Sequence, residues 1–250
     1  CTLFWIMISG GLSDALGRLL RSRKNKGQYR NIARMRGSAM LFQSILGLAV
    51  SLCLAALSGV VAEKLFRIPY SGLILLAMSP AVLLRTVSAV LAGYFQGEGS
   101  EAPRAIAGIL RQAFLLGFGI LFCHLVGGYG EKVGSLLRQE NFVAMYGGLG
   151  IALAVNLSEL PVILFLGLVY RGSRRSERRA KQEGMYAADS AWDCARYLHS
   201  ARWPHWATDL CVFLPFALGL LFLGGSGEAG GQTAVDYGLY VGKYLVVCGI

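Results

Sequence analysis

Charge is scarce in this chain: Asp, Glu, Lys and Arg together make up 15% of its 250 residues, where soluble domains carry about a quarter. With 55% of the residues hydrophobic, an ordinary water-soluble globule is excluded, and the chain reads as an integral membrane protein. Histidine is scarcer still. His124, His199 and His205 fall in no HxxxH or HExxH spacing, so no metal centre is expected. The six cysteines, Cys1, Cys53, Cys123, Cys194, Cys211 and Cys248, lack CxxC spacing and lie mostly in apolar surroundings. They read as small core residues and neither as a disulfide framework nor as a metal site. Gly127-Gly128-Tyr129-Gly130 and Gly147-Gly148-Leu149-Gly150 neither follow a strand nor precede a lysine at P-loop spacing, which points to helix packing instead of a nucleotide. No Ser, His and Asp constellation and no pair of carboxylates within one polar loop points to hydrolysis.

What charge there is has a pattern. The formal net charge is +10, and 16 of the 24 Lys and Arg fall in two stretches, eight from Arg18 to Arg36 and eight from Arg171 to Arg202. Confinement of cations to alternate loops is the positive-inside pattern, so both stretches are expected on the cytoplasmic side. Anionic lipid headgroups are then a better partner for them than a nucleic acid.

The apolar runs between these stretches give the expected crossings. Residues 1–17 read as the latter part of an inward span, and residues 37–62 as an outward one, long enough for roughly 30 Å of hydrocarbon. Residues 71–92 return. The block Gly93-Tyr94-Phe95-Gln96-Gly97 reads as a turn with an aromatic pair at the membrane boundary, its glycines and Pro103 stopping one helix and starting the next. Residues 104–126 cross outward, 127–141 form an outer loop, and 142–170 return with a tilt or kink at Pro161. Within 171–203, RGSRRSERRAKQEG reads as a solvated linker. It precedes an interfacial amphipathic helix with Met185, Ala188, Trp192, Ala195 and Leu198 or His199 on one side and Asp189, Asp193 and Arg196 on the other. Residues 205–224 run outward and 235–250 begin the return. The expected fold is therefore an all-α multi-span bundle. The chain starts at Cys1 inside one apolar run and stops at Ile250 inside another, the form expected of a fragment.

Charges inside spans are the candidate functional groups, because each costs about 2.5 to 3.5 kcal/mol at mid-helix. Arg85 reads either as a cationic site in a central cavity, suited to bidentate contact with phosphate, or as a side chain snorkelling to the cytoplasmic surface. Glu159 lies in Asn156-Leu157-Ser158-Glu159-Leu160-Pro161, where proline frees a carbonyl one turn back. Asn156, Ser158 and Glu159 could gather polar partners or a cation there, with the carboxylate binding Na⁺ or carrying a proton, or Glu159 could be a structural carboxyl, protonated or paired with a neighbouring helix. Asp14 and Arg18, spaced i, i+4, read as a local ion pair or as a gate at the inner mouth.

Two stretches resemble a known family. Gly93-Tyr94-Phe95-Gln96-Gly97, followed by Pro103 and AIAGILRQ, resembles the junction of the fourth and fifth spans in polysaccharide-exporter and stage V sporulation protein B type flippases. ISGGLSDALGRLLRSRKNKGQYRNIARM, with Lys26-Gly27-Gln28-Tyr29-Arg30, resembles the end of their second span. Ala92 stands where that family usually has arginine. The family lies in the multidrug, oligosaccharidyl-lipid and polysaccharide exporter superfamily, with the lipid II flippases and the multidrug and toxin extrusion transporters.

The resemblance implies a two-lobe transporter fold of about 12 to 14 spans. Residues 1–170 would supply the N-terminal lobe without its first span, 171–203 a cytoplasmic linker, and 204–250 the start of the second lobe. It implies no enzyme but a flippase in the bacterial cytoplasmic membrane, moving a lipid-linked oligosaccharide or peptidoglycan precursor by alternating access. Arg85 and Arg18 would face the substrate, and Glu159, Asn156 and Asp14 would serve Na⁺ or H⁺ coupling or gating. Enzymes of cell-wall or polysaccharide synthesis are implied partners. A cation-coupled multidrug antiporter is the alternative within the same fold, and a membrane-embedded glycosyltransferase is a more distant one.

Overall fold

A computed structural model describes residues 10–62, 71–138, 141–180 and 189–224. Among them the chain is all helix: α1 (Leu12–Asn25), α2 (Tyr29–Val60), α3 (Ser71–Glu98), α4 (Ala102–Leu137), α5 (Asn141–Ala180) and α6 (Ala191–Gly224). Four of them, α2 to α5, are long and apolar enough to cross a membrane. They also expose large apolar side chains, among them Leu52, Leu73, Ile109, Leu116, Ile120 and Leu164. Water would penalise such a surface, whereas hydrocarbon accepts it.

The centre of the bundle is its shortest helix. Leu12, Ala15, Leu16 and Leu20 of α1 are all buried, the i, i+3, i+4, i+8 stripe of a helix whose one face is enclosed. They pack with Met35 and Ala39 of α2, Val90 and Tyr94 of α3, Leu166 of α5 and Leu198 of α6. The expected inward span over 1–17 lies partly outside the described residues. From the described start of the chain at Gly10, a helix begins at Leu12, after Gly11 in a left-handed conformation at φ 62°, and runs on through the basic stretch to Asn25. Residues 1–9 lie outside the described residues. The basic loop contracts to a turn at Lys26, Gly27 and Gln28, with Gly27 at φ 69°.

Gly93 to Gly97 is likewise helix and not a turn. Helix α3 continues to Glu98 and stops where Gly99 takes φ 93°, and Pro103 then opens α4 in its first turn, where its missing N–H costs nothing. The two glycines serve packing. A Cβ on Gly93 would come within 2.8 Å of the Ser13 carbonyl oxygen, and one on Gly97 within 2.6 Å of Leu20 Cβ, so their absence lets α1 lie directly on α3. The aromatic pair between them belongs to the interior, with Tyr94 1% and Phe95 3% exposed.

The outer loop expected over 127–141 is also mostly helix, since α4 runs to Leu137 and α5 begins at Asn141. Gly130 seats Tyr146, and Gly150 lies against the Phe122 backbone, so two small residues close the hairpin between them. Helix α5 extends past Tyr170 through the basic run to Ala180, where a linker was expected. Helix α6 is continuous through Pro204 and Pro215, so the interfacial helix and the following span are one element. Its buried side is Cys194, Leu198 and Arg202, while Trp192 and His199 are exposed, a rotation from the expected face. Met185 and Ala188 lie outside the described residues. The core assignment holds for Cys194 but not for Cys53, Cys123 and Cys211, which are exposed; Cys1 and Cys248 lie outside the described residues.

The contacts at the helix ends set the direction of the chain. Lys24 binds the Glu98 carboxylate at 3.2 Å, Arg23 pairs with Asp189, and the Tyr94 hydroxyl lies 3.3 Å from Ser173 Oγ. The turn between α1 and α2, the end of α3 and the polar part of α5 thus share one end of the bundle with the start of α6. That brings both cationic stretches together, as the charge pattern predicts.

Candidate functional site

Five helices meet around a cavity of about 330 Å³. Helix α3 contributes Arg85, Ser88 and Ala92, and α4 contributes Arg104, Ala107 and Arg111, each set at the i, i+3, i+7 spacing of one helical stripe. Asp14 from α1, Leu166 from α5 and Asp209 from α6 close it.

At one end of the cavity is Glu159 of α5, which is 0% exposed. Its Oε1 accepts from Arg85 Nε and from Arg111 Nε, each at 2.8 Å. Its Oε2 accepts from Arg111 Nη2 at 3.2 Å and from Ser88 Oγ at 3.3 Å. A carboxylate offers about four lone-pair sites; the arginines take three, and the single Ser88 hydroxyl hydrogen is shared between Glu159 and the Arg85 carbonyl at 3.0 Å. Glu159 is therefore the anchor that holds two guanidinium groups inside the helices. Two arginines thus share one carboxylate, and both line the cavity.

About 10 Å along α4, Arg104 makes a second cluster. Its Nη1 donates to Asp14 Oδ1 at 2.6 Å and to Gln96 Oε1 at 3.0 Å, while Gln96 Nε2 donates to Asp14 Oδ1 at 3.0 Å. Arg21 Nη2 caps the Gln96 carbonyl at 3.0 Å. Gln96 of the family-like block thus ties α1, α3 and α4 together. Asp14 pairs across helices with Arg104 and not with Arg18, whose side chain is exposed and forms no ion pair among the described residues. Arg18 does not line the cavity.

Asn156 and Glu159 also part company. Asn156 Nδ2 donates to the Ala77 carbonyl of α3 at 2.7 Å and to Ala152 O at 2.8 Å, and Ser158 Oγ donates to Val155 O at 2.9 Å. These side chains do not converge on the carbonyl that Pro161 opens. A parallel repair surrounds Pro80 in α3. Proline leaves the Leu76 carbonyl without its helical donor, and Ser79 Oγ supplies one at 2.8 Å. Ser51 Oγ of α2 reaches the Ser79 carbonyl, also at 2.8 Å. The carbonyls around Pro80 thus receive donors from Ser79 of α3 itself, from Ser51 of α2 and from Asn156 of α5.

Arg104 and Arg111 are the members that sequence reading passed over. The signal was present: Arg111 is as deep in its apolar run as Arg85 is in its own, and Arg104, Ala107 and Arg111 repeat the spacing of Arg85, Ser88 and Ala92. Three or more His, Cys, Asp or Glu side chains arranged to hold a metal do not occur among the described residues.

No family model, curated protein or solved structure matches the chain. Its function has to be read from these side chains and from the motifs they belong to.

Proposed function

We propose that the protein is a membrane transporter of the flippase type, moving an anionic lipid-linked saccharide across the cytoplasmic membrane by alternating access. The observation that supports it is the pair of arginines at the Glu159 end of the cavity, where Arg85 and Arg111 share one carboxylate and both line the space. Placing two guanidinium groups among apolar helices is expensive, and a phosphate or pyrophosphate entering the cavity would meet planar donors held ready for bidentate contact. Charges at the other end, Asp14, Arg104 and Asp209, would face the polar part of such a substrate. Rocking of the helices around this cavity would expose it to either leaflet in turn.

A cation exporter fits the same observation less well, since an excess of acid in the cavity would be needed and its three arginines face Asp14, Asp209 and Glu159. Proteoliposomes holding a fluorescent polyprenyl-pyrophosphate saccharide test the proposal through the fraction of label accessible from outside over time. Arg85→Ala and Arg111→Ala are expected to abolish translocation while the protein still inserts. Full activity in both variants would remove the arginines from the mechanism and with them the flippase assignment.

A further inference from the structure

Every acid around the cavity has an arginine except one. Arg104 holds Asp14, and Arg85 and Arg111 hold Glu159. Asp209 of α6 lines the same cavity, half-buried, and makes no hydrogen bond or ion pair among the described residues. The titratable groups within its electrostatic reach are His205, one turn back on α6, and Asp14 of α1. Gly11 lies so close against His205 that a Cβ would not fit between them. That contact lays α6 on the start of α1 and sets Asp209 at the Arg104 end of the cavity. His205 Nε2 is buried there without a hydrogen bond. At the opposite end Arg111 uses Nε and Nη2 on Glu159 and Ser88, while its Nη1 donates to nothing among the described residues.

We propose that the transported headgroup is zwitterionic, with a phosphate at Arg111 and a primary amine at Asp209, roughly 10 Å away along the cavity. This names the substrate class of the flippase reading and rests on it. The charges around the cavity, Arg85, Arg104 and Arg111 against Asp14, Asp209 and Glu159, sum to zero, so the site matches an occupant that carries both signs. A purely anionic headgroup would meet Asp209 as a like charge between apolar helices, where water screens it poorly. An ammonium has three N–H donors and no acceptor. Asp209 is an acceptor that no other group occupies, and Nε2 of a neutral His205 is a second. Arg111 Nη1 is left to donate to the phosphate at the other end. An amino group on a sugar one residue removed from the phosphate has this layout.

Titration calorimetry of the protein in detergent tests it with three soluble probes: hexyl phosphate, hexylamine, and aminohexyl phosphate, whose extended chain holds its charged ends at about the required separation. Wild type is expected to bind aminohexyl phosphate about ten-fold tighter than hexyl phosphate, the ratio that one charge-assisted hydrogen bond gives. Asp209→Asn should bring the ratio to about one, and Asp209→Glu should keep most of it. Acetylating the amine of the probe should cancel the preference in wild type, which keeps the test decisive if Asp209→Asn does not fold. Equal binding of both phosphates to wild type, or a preference that survives Asp209→Asn or acetylation, overturns the zwitterion and leaves the flippase reading standing. Binding of hexylamine alone, or of no probe, overturns both, because the cavity then has no phosphate site.

Discussion

Arg111 grips Glu159 fork to fork, Nε on Oε1 at 2.8 Å and Nη2 on Oε2 at 3.2 Å, joining the fourth and fifth helices through a carboxylate that solvent does not reach. Arg85 completes the group from the third helix. Breaking a buried ion pair from one side costs more than the pair contributes, because the remaining charge is stranded.

Glu159→Gln should therefore lower stability by up to about 3 kcal/mol, toward the low end for a broken buried pair, since two half-buried guanidinium groups would face a neutral amide. Replacing all three charges together, Arg85→Met, Arg111→Met and Glu159→Leu, should recover most of that loss and still abolish translocation. Unfolding midpoints in detergent, measured beside the liposome assay, separate the two effects. Equal destabilisation by the single and triple variants would contradict the ion-pair account.

The contact of α1 with α3 depends on glycine at two positions. Gly93→Ala is expected to cost about 1 to 3 kcal/mol, because its methyl would meet the Ser13 backbone and neither helix can shift cheaply. Gly108→Ala, in a helix position with nothing within 4 Å, should instead gain up to about 1 kcal/mol from helix propensity. Thermal unfolding of the two variants side by side checks the contrast.

Asn156 joins α5 to the backbone of α3 one turn before Pro80. Asn156→Leu keeps the branched outline of the side chain but leaves α3 without that donor, and should cost about 1 to 3 kcal/mol. Hydrogen exchange should show the loosening first at 77–81, around the carbonyl that loses its partner. Unchanged protection there would mean that the bend stands without Asn156.

The cysteines report both burial and surroundings. Cys53 and Cys123 are exposed on the apolar helices α2 and α4, so in intact membranes a lipid-soluble maleimide should label them and a charged one should not. Cys194 is buried on α6, and that burial pushes its thiol above the ordinary value. Its thiolate is then sparse at neutral pH, so its labelling should lag and keep rising with pH after an unburied thiol has levelled off. A Cys194 rate that levels off together with a free thiol would contradict its burial.

The aromatic block of α3 shows where reading along the chain misleads. Glycine, tyrosine and phenylalanine in sequence suggest a turn at a boundary, because glycine commonly ends helices and tyrosine favours interfaces. Here Gly93 and Gly97 are one turn apart in an unbroken helix, and only the presence of α1 across from them gives their missing side chains a purpose. Gly99, two residues on, is the one that takes the left-handed conformation.

Sequence alone determined that this protein is helical, that four or more of its runs suit hydrocarbon, and which stretches share a side, because length, hydropathy and charge are local properties with local costs. It marked Arg85 and Glu159 for the same reason. What it left open was pairing. Asp14 passes over Arg18, four residues away on its own helix, for Arg104 on another, and Glu159 gathers Arg85 and Arg111 from two more. Tertiary structure made those choices, because the strength of a buried charge pair depends on geometry and exclusion of water between elements far apart in the chain.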